Sequence, residues 1–249
     1  PPHHRHSPTD PPLAKRLWDF EPGSRVVIEP GTYVGGMVLP HDVTLVAAKG
    51  LGTVTLESSR GPLLSVEGAG RVHLEGLILR GSAIGLGAVL VIDNEAEVEV
   101  RGCLLGGGRG EGVGGGGVSI RVGKLVMARC RLVENTALQG GALSACGPAL
   151  VEVSNSVFAR NSAEGLGGGA VFANEGARVR LLGCTFVDNT AKAGRVVHAG
   201  STATLGGHVE LANCLLAKGL GESTLLAEGQ GTIAVSHSVV PPGADKSAG

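Results

Sequence analysis

A phrase of eight residues recurs seven times along this chain, with 24 to 30 residues from the start of one copy to the start of the next. Its pattern is apolar, any, apolar, any, any, small or Cys, any, apolar. The copies are VHLEGLIL from Val72, VEVRGCLL from Val98, LVMARCRL from Leu125, VEVSNSVF from Val151, VRLLGCTF from Val179, VELANCLL from Val209 and IAVSHSVV from Ile233. A period of this length is too long for coiled-coil heptads and is typical of one turn of a solenoid.

The alternation of apolar and polar residues within each copy predicts strands. In the second copy, Val98 and Val100 alternate with polar residues, and the alternation resumes at Cys103 after a two-residue bend. A third apolar run precedes several copies: AVLVI (88–92), GVSIRV (117–122), GALSAC (141–146) and GAVFAN (169–174). Helices are disfavoured because each of the many glycines would cost a helix about 1 kcal/mol. Three short strands per period describe one coil of a parallel β-helix, an all-β fold with about seven to nine coils here.

Stacked coils bring equivalent residues together, and a repeat that cannot bury its face alone requires this. Four rows are expected to face inward. They are Val72, Val98, Leu125, Val151, Val179, Val209, Ile233; Leu74, Val100, Met127, Val153, Leu181, Leu211, Val235; Leu77, Cys103, Cys130, Ser156, Cys184, Cys214, Ser238; and Leu79, Leu105, Leu132, Phe158, Phe186, Leu216, Val240.

Three asparagines occupy one position of the repeat. Asn135, Asn161 and Asn189 each lie three positions after the last apolar residue of their copy. Asn tolerates left-handed backbone, and its side-chain amide can bond to the coils above and below. We therefore expect a structural ladder of Asn inside the solenoid.

Four segments follow from the composition along the chain. Residues 1–12 are Pro-rich and polar and are predicted to be a linker. Residues 13–23 contain LAKRLWDF, whose large apolar residues have near-helical spacing, and are predicted to form a short helix that caps the rod. The β-helix is predicted over 24–241. Two prolines then stop the ladder, and 242–249 is predicted to be a second linker or tail, so that the rod is a module of a larger protein.

Short motifs within the repeat carry a family resemblance. The motifs are GGAL (140–143), GGAV (168–171), FARN (158–161), FVDN (186–189) and LVEN (132–135). They resemble the GGA(I/L/V) and FxxN repeats of the passenger domains of polymorphic outer-membrane proteins. That resemblance implies a secreted or cell-surface protein with a role in adhesion.

A second resemblance concerns the first coil. PGTY (30–33), after the predicted strand VVIE (26–29), resembles the first coil of right-handed parallel β-helix proteins, including the pectate-lyase-like group. The two resemblances together cover about residues 24–241. They imply a right-handed single-stranded parallel β-helix whose coils have 24 to 30 residues.

The carboxylates are the candidate catalytic residues of a chain with this fold. The Asp residues from position 24 onward are Asp42, Asp93, Asp188 and Asp245, and no two occupy equivalent positions in adjacent coils. A lyase of this fold would need clustered carboxylates for Ca²⁺, and a hydrolase would need a carboxylate pair. The outward Glu residues alternate with cations, as is usual on exposed strands. The sequence therefore predicts no enzyme, no metal site and no cofactor.

One outward row breaks the expected pattern of polar residues. Thr185 and Arg131 are polar, but the other five residues are aliphatic: Ile78, Leu104, Val157, Leu215 and Val239. We call these five residues the apolar stripe. An exposed stripe of this kind is covered either by other parts of the chain or by a partner, so it is the candidate partner-binding surface.

The net charge and the cysteines restrict the classes of partner and the cellular compartment that the sequence favours. The net charge is -1 at pH 7, which gives no electrostatic footprint for nucleic acid, and no apolar run is long enough for direct membrane insertion. Five cysteines without a CxxC motif favour a reducing, cytoplasmic compartment. The sequence leaves the oligomeric state and the compartment open.

Two functions remain. The first is a non-catalytic module for protein binding, scaffolding or adhesion, whose partner is another protein or a further domain of the same parent chain. The alternative is a polysaccharide-active enzyme, namely a lyase, hydrolase or epimerase, with an unrecognised site on loops.

Overall fold

Short strands follow one another along nearly the whole chain. A computed structural model describes residues 2–58, 60–68, 70–81, 88–110, 114–201, 204–217, 223–241 and 245–247. In chain order the elements are β1 (His3–His6), α1 (Leu13–Arg16), β2 (Ser24–Ile28), β3 (Gly31–Val34), β4 (Met37–Leu39), β5 (Val43–Ala47), β6 (Val54–Glu57), β7 (Leu64–Val66), β8 (Arg71–Glu75), β9 (Ile78–Arg80), β10 (Leu90–Arg101), β11 (Leu104–Gly106), β12 (Val118–Ala128), β13 (Arg131–Val133), β14 (Thr136–Gln139), β15 (Leu143–Ala145), β16 (Leu150–Ser154), β17 (Val157–Ala159), β18 (Ser162–Gly167), β19 (Val171–Ala173), β20 (Arg178–Leu182), β21 (Thr185–Val187), β22 (Thr190–Ala191), β23 (Val197–Ala199), β24 (His208–Ala212), β25 (Leu215–Leu216), β26 (Leu225–Ala227), β27 (Thr232–Ser236) and β28 (Asp245–Ser247).

These strands wind into a right-handed parallel β-helix of about 8 turns, as the sequence predicted. Sheet I contains β1, β2, β5, β8, the second halves of β10 and β12, β16, β20, β24 and β27. Sheet II contains β3, β6, β9, β11, β13, β17, β21 and β25. Sheet III contains β4, β7, the first halves of β10 and β12, β15, β19, β23, β26 and β28.

The strand register, together with the burial of the corner residues, confirms the four inward rows in the coils from β8 to β25. In sheet I, Val72 pairs with Val98, and the same row continues without a break to Ile233. In sheet II, Phe158 pairs with Phe186, and their rings stack with centroids 4.8 Å apart. Because each residue lies over its equivalent in the next coil, one continuous apolar core runs the length of the rod.

The corner between sheets I and II has the same backbone conformation in every coil from β8 onward. One residue there has a positive φ, and it is Gly76, Gly102, Arg129, Asn155, Gly183, Asn213 or His237, with φ between 47° and 69°. A left-handed residue turns the chain sharply between two strands, and only Gly adopts this conformation without steric cost. The corner thus explains why Gly and Asn recur at this point of the phrase.

The cost of a side chain at this corner can be measured. We expect Arg129→Gly to raise the free energy of unfolding by about 0.5 to 1 kcal/mol, because exposed Arg129 has φ 54°. Gly102 occupies the same corner one coil earlier with φ 55°, and a Cβ there would meet no atom within 4 Å. Gly102→Ala should therefore lower the stability by about 1 kcal/mol through the backbone alone. Urea denaturation measures the free energy of unfolding of both variants. If both substitutions changed it in the same direction, the explanation would be contradicted.

The N-terminal end of the rod is covered. Leu13 and Leu17, in and just after α1, are buried at 2% and 1% exposure, as the predicted capping helix requires. Phe20 is also buried and contacts the ring of His4 at 4.7 Å between centroids. Trp18, by contrast, is exposed and contributes little to this cap.

The two terminal segments differ from the predicted linkers. Within 1–12, strand β1 pairs in parallel with β2, so His3–His6 adds a strand to sheet I. Within 242–249, strand β28 pairs with β26 at the end of sheet III, while residues 242–244, 248 and 249 lie outside the described residues. Backbone pairing at a sheet edge depends little on side chains, and for this reason the polar composition of both segments was misleading.

The other end of the rod is open in the part of the chain that the structure describes. Strand β27 is mostly exposed, with Val235 at 42%, although its inward row is buried in every earlier coil from β8 onward. Val239, at the end of the same coil, is 65% exposed. The last coil therefore has packed neighbours on one side only. The described residues include no helix that is long and apolar enough to cross a membrane.

Candidate functional site

The outer face of sheet I carries two adjacent rows of mostly polar residues. Because inward positions fill the core, the alternate positions of β12, β16, β20, β24 and β27 point to solvent. The first row is Lys124, Leu150, Arg178, His208 and Thr232, and the second is Val126, Glu152, Arg180, Glu210 and Ala234. Five successive coils thus contribute to one surface.

These rows line an open groove of about 500 Å³. Arg178 and His208 lie side by side on its floor, and Glu152, Arg180 and Glu210 follow one another along the adjacent row. A second depression of about 240 Å³ continues the surface toward β8 and shares Lys124 with the groove. The groove and the second depression lie end to end along the axis of the rod, and we call them together the channel.

Ion pairs and hydrogen bonds fix part of the groove. Arg180 Nε lies 3.5 Å from Glu210 Oε2, and His208 Nδ1 lies 2.7 Å from Thr232 Oγ1. Among the described residues, neither the Glu152 carboxylate nor the Arg178 guanidinium has a hydrogen-bond or ion-pair partner. The groove therefore offers a carboxylate and a guanidinium to a ligand without breaking an internal contact.

The second depression is more tightly paired. Arg71 Nε lies 3.3 Å from Glu97 Oε2, and His73 Nδ1 lies 3.0 Å from Glu99 Oε2. Partial burial tends to raise the pKa of Glu99, but hydrogen bonds from Arg101 and His73 outweigh it and lower this pKa. These charges already satisfy one another, so the free groups lie at the other end of the channel, over β16 to β24.

The spacing of the two carboxylates in the groove suggests a chemistry. Glu152 and Glu210 are two coils apart with Arg180 between them, and two coil steps are roughly 9.6 Å. Inverting glycosidases hold their acid and base about 6.5 to 9.5 Å apart, which leaves room for a water. Flexible Glu side chains reach that range from this backbone spacing.

The three predicted ladder asparagines lie together inside the coil and are buried. Asn135 Nδ2 donates to Asn161 Oδ1 at 3.0 Å, and Asn161 Nδ2 donates to Asn189 Oδ1 at 2.9 Å. The left-handed residue is the one before each Asn, namely Glu134, Arg160 or Asp188, and not the Asn itself as the sequence suggested. The amides bond between coils and take no part in the groove.

The apolar stripe lies on the outer face of sheet II, on a different side of the rod. The register places Ile78, Leu104, Val157, Leu215 and Val239 in one row with Arg131 and Thr185. Ile78, Leu104 and Val157 are half-buried, and Leu215 is 46% exposed. That the stripe binds a partner stays a prediction.

The cysteines do not form a metal site. All five are buried and free, and four of them stack in the inward row at the corner. Within the described ranges, no group of three or more His, Cys, Asp or Glu residues is arranged to hold a metal ion.

Known proteins were compared by sequence and by structure. No family model and no curated protein matches the sequence. The crystal structure of the pectin methylesterase from Aspergillus niger matches with a TM-score of 0.61 over 98% of this chain and 86% of its own, at 11% identity. The structure of Escherichia coli ybhc has a TM-score of 0.66, covering 96% and 85%, at 9% identity. Pectate lyase Pel9A has a TM-score of 0.54, covering 97% and 79%, at 13% identity.

This chain has the fold of these proteins. The result confirms the pectate-lyase-like β-helix and, at such low identity, shows the fold alone. It contradicts the prediction that the chain is not an enzyme, because structures that share its fold are pectin methylesterases and a pectate lyase. The resemblance to outer-membrane passenger domains rests on the short motifs only.

The groove could not be predicted from the sequence, for a physical reason. The alternating charges of Glu152, Arg180 and Glu210 are also what an ordinary exposed strand face carries. Whether those residues line a groove depends on the shape of the surrounding surface. The register of the strands gives the neighbours of each residue but not that shape. One feature of the sequence does point to this surface. His208 lies beside Arg178 of the neighbouring coil, and the same two coils pair Arg180 with Glu210.

Proposed function

We propose that this chain is a polysaccharide-active protein that binds an extended glycan along the groove of sheet I. The observation that carries the proposal is the open groove, which is lined by Glu152, Arg178 and His208. Its fold relatives, named for pectin and pectate, support the substrate class. Function on this fold depends on the residues of the site, so those residues need roles.

Hydrolysis of a glycosidic bond is the reaction that we assign to the groove. Glu210, which lies in an ion pair with Arg180, acts as the general base on a water molecule. Glu152 lies on the other side of Arg180 in the same row and acts as the general acid, which donates a proton to the leaving oxygen. Arg178 and His208 bind sugar hydroxyls or carboxylates at the adjacent row.

A turnover panel tests the proposal. The purified protein is incubated with pectin, pectate, alginate and neutral glucans, and the products are followed by reducing-end assay and by NMR of the anomeric proton. We expect new reducing ends with inverted configuration from at least one polymer. Binding without turnover, or turnover that Glu152→Gln leaves unchanged, would contradict the assigned reaction.

The apolar stripe supports a second function on another face. We propose that sheet II docks the apolar surface of a partner protein, because Leu215 and Val239 are 46% and 65% exposed in a row of aliphatic neighbours. This contact and the groove lie on separate sheets, so both can operate in one molecule.

Polar substitution tests the docking surface. The combined variant Leu104→Ser, Val157→Ser and Leu215→Ser should remain folded, because these side chains are only half-buried or exposed. A photo-reactive residue at Thr185 should cross-link a partner in the wild type and lose at least about 90% of that product in the variant. Circular dichroism reports the fold. Unfolding of the variant would place the stripe in the core, and unchanged cross-linking would refute docking there.

A further inference from the structure

The two outward rows of sheet I change the sign of their charge from each coil to the next. In register order from β8 to β24, the charged residues are Arg71, Glu97, Lys124, Glu152, Arg178 and Glu210, which we call the charge series. Glu99 and Arg180 have the same sign as Glu97 and Arg178, the members of the series on their own coils. Because neighbouring coils are about 4.8 Å apart, the pattern repeats every two coils, or roughly 9.6 Å.

Only the two ends of the charge series are explained by pairing between strands. Opposite charges on neighbouring strands commonly stabilise a sheet by pairing with each other. Arg71 Nε lies 3.3 Å from Glu97 Oε2, and Arg180 Nε lies 3.5 Å from Glu210 Oε2. The ends of the series therefore satisfy one another.

The middle of the charge series is unpaired. In the part of the chain that the structure describes, the side chains of Lys124, Glu152 and Arg178 form no ion pair and no hydrogen bond. These residues lie on three successive coils, and all three line the groove. Three free charges in the order plus, minus, plus are thus available to a ligand.

Leu150 interrupts the cations of the groove. It lies between Lys124 and Arg178 in one row and is 49% exposed, whereas the other members of this row from β8 to β24 are Arg, Glu, Lys or His. Glu152 is the other outward residue of the same strand. An anionic group over this coil would meet an apolar side chain and a carboxylate, so the coil favours an uncharged group, such as the C–H face of a sugar ring.

The two-coil repeat corresponds to a length of carbohydrate. In an extended chain one pyranose residue adds roughly the spacing of one coil, about 4.8 Å, so one sugar can lie over each coil. Acidic groups over Lys124 and Arg178 are then two sugars apart, with an uncharged sugar over Leu150. One coil step is shorter than the screening length of about 8 Å at physiological salt. An acidic sugar displaced by one coil is therefore repelled by Glu152.

We propose that the groove selects a chain in which acidic and uncharged sugars alternate, such as a polymer of uronate and N-acetylhexosamine. This inference rests on the proposed function, and it specifies the glycan that the groove binds. A chain with an acid on every sugar places a carboxylate over Leu150 and Glu152. A neutral chain leaves Lys124 and Arg178 without a partner. In the turnover panel, partly esterified pectin contains stretches that meet the condition, and pectate does not.

Isothermal titration calorimetry tests the selection without turnover. The wild-type protein is titrated with three hexasaccharides: hyaluronan, in which glucuronate alternates with N-acetylglucosamine, hexagalacturonate and cellohexaose. We expect the hyaluronan hexasaccharide to bind at least about tenfold more tightly than hexagalacturonate, although it has half as many carboxylates, because the order of the charges decides the fit. It should also bind more tightly than cellohexaose.

A charge reversal in the groove should exchange the preference. Glu152→Lys places three cations on successive coils, so hexagalacturonate should bind this variant at least about tenfold more tightly than the hyaluronan hexasaccharide does. The matched control is Glu134→Lys, which changes the net charge equally at an exposed Glu outside the groove. The control should keep the wild-type ratio of the two affinities within about twofold.

The outcomes separate this inference from the proposed function. If hexagalacturonate or cellohexaose binds the wild type as tightly as the hyaluronan hexasaccharide, the selection is wrong while glycan binding stands. An unchanged preference in Glu152→Lys, with a wild-type circular dichroism spectrum, also overturns the selection alone. If none of the three hexasaccharides binds, the proposed function is wrong as well. The wild-type titrations decide the question even if Glu152→Lys does not fold.

Discussion

Replacing Asn161 by Ala is expected to lower the free energy of unfolding by about 4 kcal/mol. The Asn161 side chain accepts two bonds from Asn135 at 3.0 and 3.1 Å, and it donates to Leu132 O and to Asn189 Oδ1 at 2.9 Å. All of these groups are buried, and Ala satisfies none of them. Each orphaned buried group costs about 1 to 3 kcal/mol, so the loss exceeds that of an ordinary hydrogen bond.

Urea denaturation of Asn161→Ala measures this loss. The control is Asn155→Ala in the same coil, where the side chain is exposed and the backbone has φ 47°. That change should cost only about 1 kcal/mol through the left-handed corner. If the two substitutions lowered the free energy of unfolding equally, the buried Asn ladder would stabilise the protein no more than the exposed corner does.

The Glu210→Gln variant is expected to lower kcat on the responsive polymer by about 10² to 10⁴. Gln keeps the size and the hydrogen bonding of Glu210 but cannot accept a proton from water. Stability should change by less than about 1 kcal/mol, because the Glu210 side chain is 67% exposed and its ion pair with Arg180 is solvated.

The matched control for Glu210 is Glu134. It too is an exposed Glu paired with an Arg of the next coil, at 2.8 Å from Arg160, but it lies outside the groove. Glu134→Gln should leave kcat within about twofold of the wild type. If both variants lose activity alike, or neither does, the assignment of Glu210 as the base is wrong.

The fold was predictable because the repeat determines its own register. Val98, Val100, Cys103 and Leu105 alternate in the phrase, and only one way of stacking the copies buries all four rows. The pairing of Val98 with Leu125 and of Val100 with Met127 then follows from counting. Even the ion pair between Arg180 and Glu210 could be anticipated from that register.

The site and the rod ends were not predictable in the same way. Whether Glu152 and Arg178 lie on a flat face or in a groove depends on the relief built by neighbouring coils, and no periodicity encodes that relief. Strands β1 and β28 join the sheets through backbone bonds that Pro-rich and polar composition does not signal. The exposure of Val235 and Val239 in the last described coil likewise depends on position along the rod.

A crystal structure of the protein with a hexasaccharide of the responsive polymer tests the central claim most directly. We expect density for the sugar chain on the outer face of sheet I, over β16, β20 and β24, with Glu152 and Glu210 on opposite sides of one glycosidic bond. Density along sheet II, or a hexasaccharide that binds in solution with unchanged affinity to the Glu152→Gln and Arg178→Ala double variant, would contradict it.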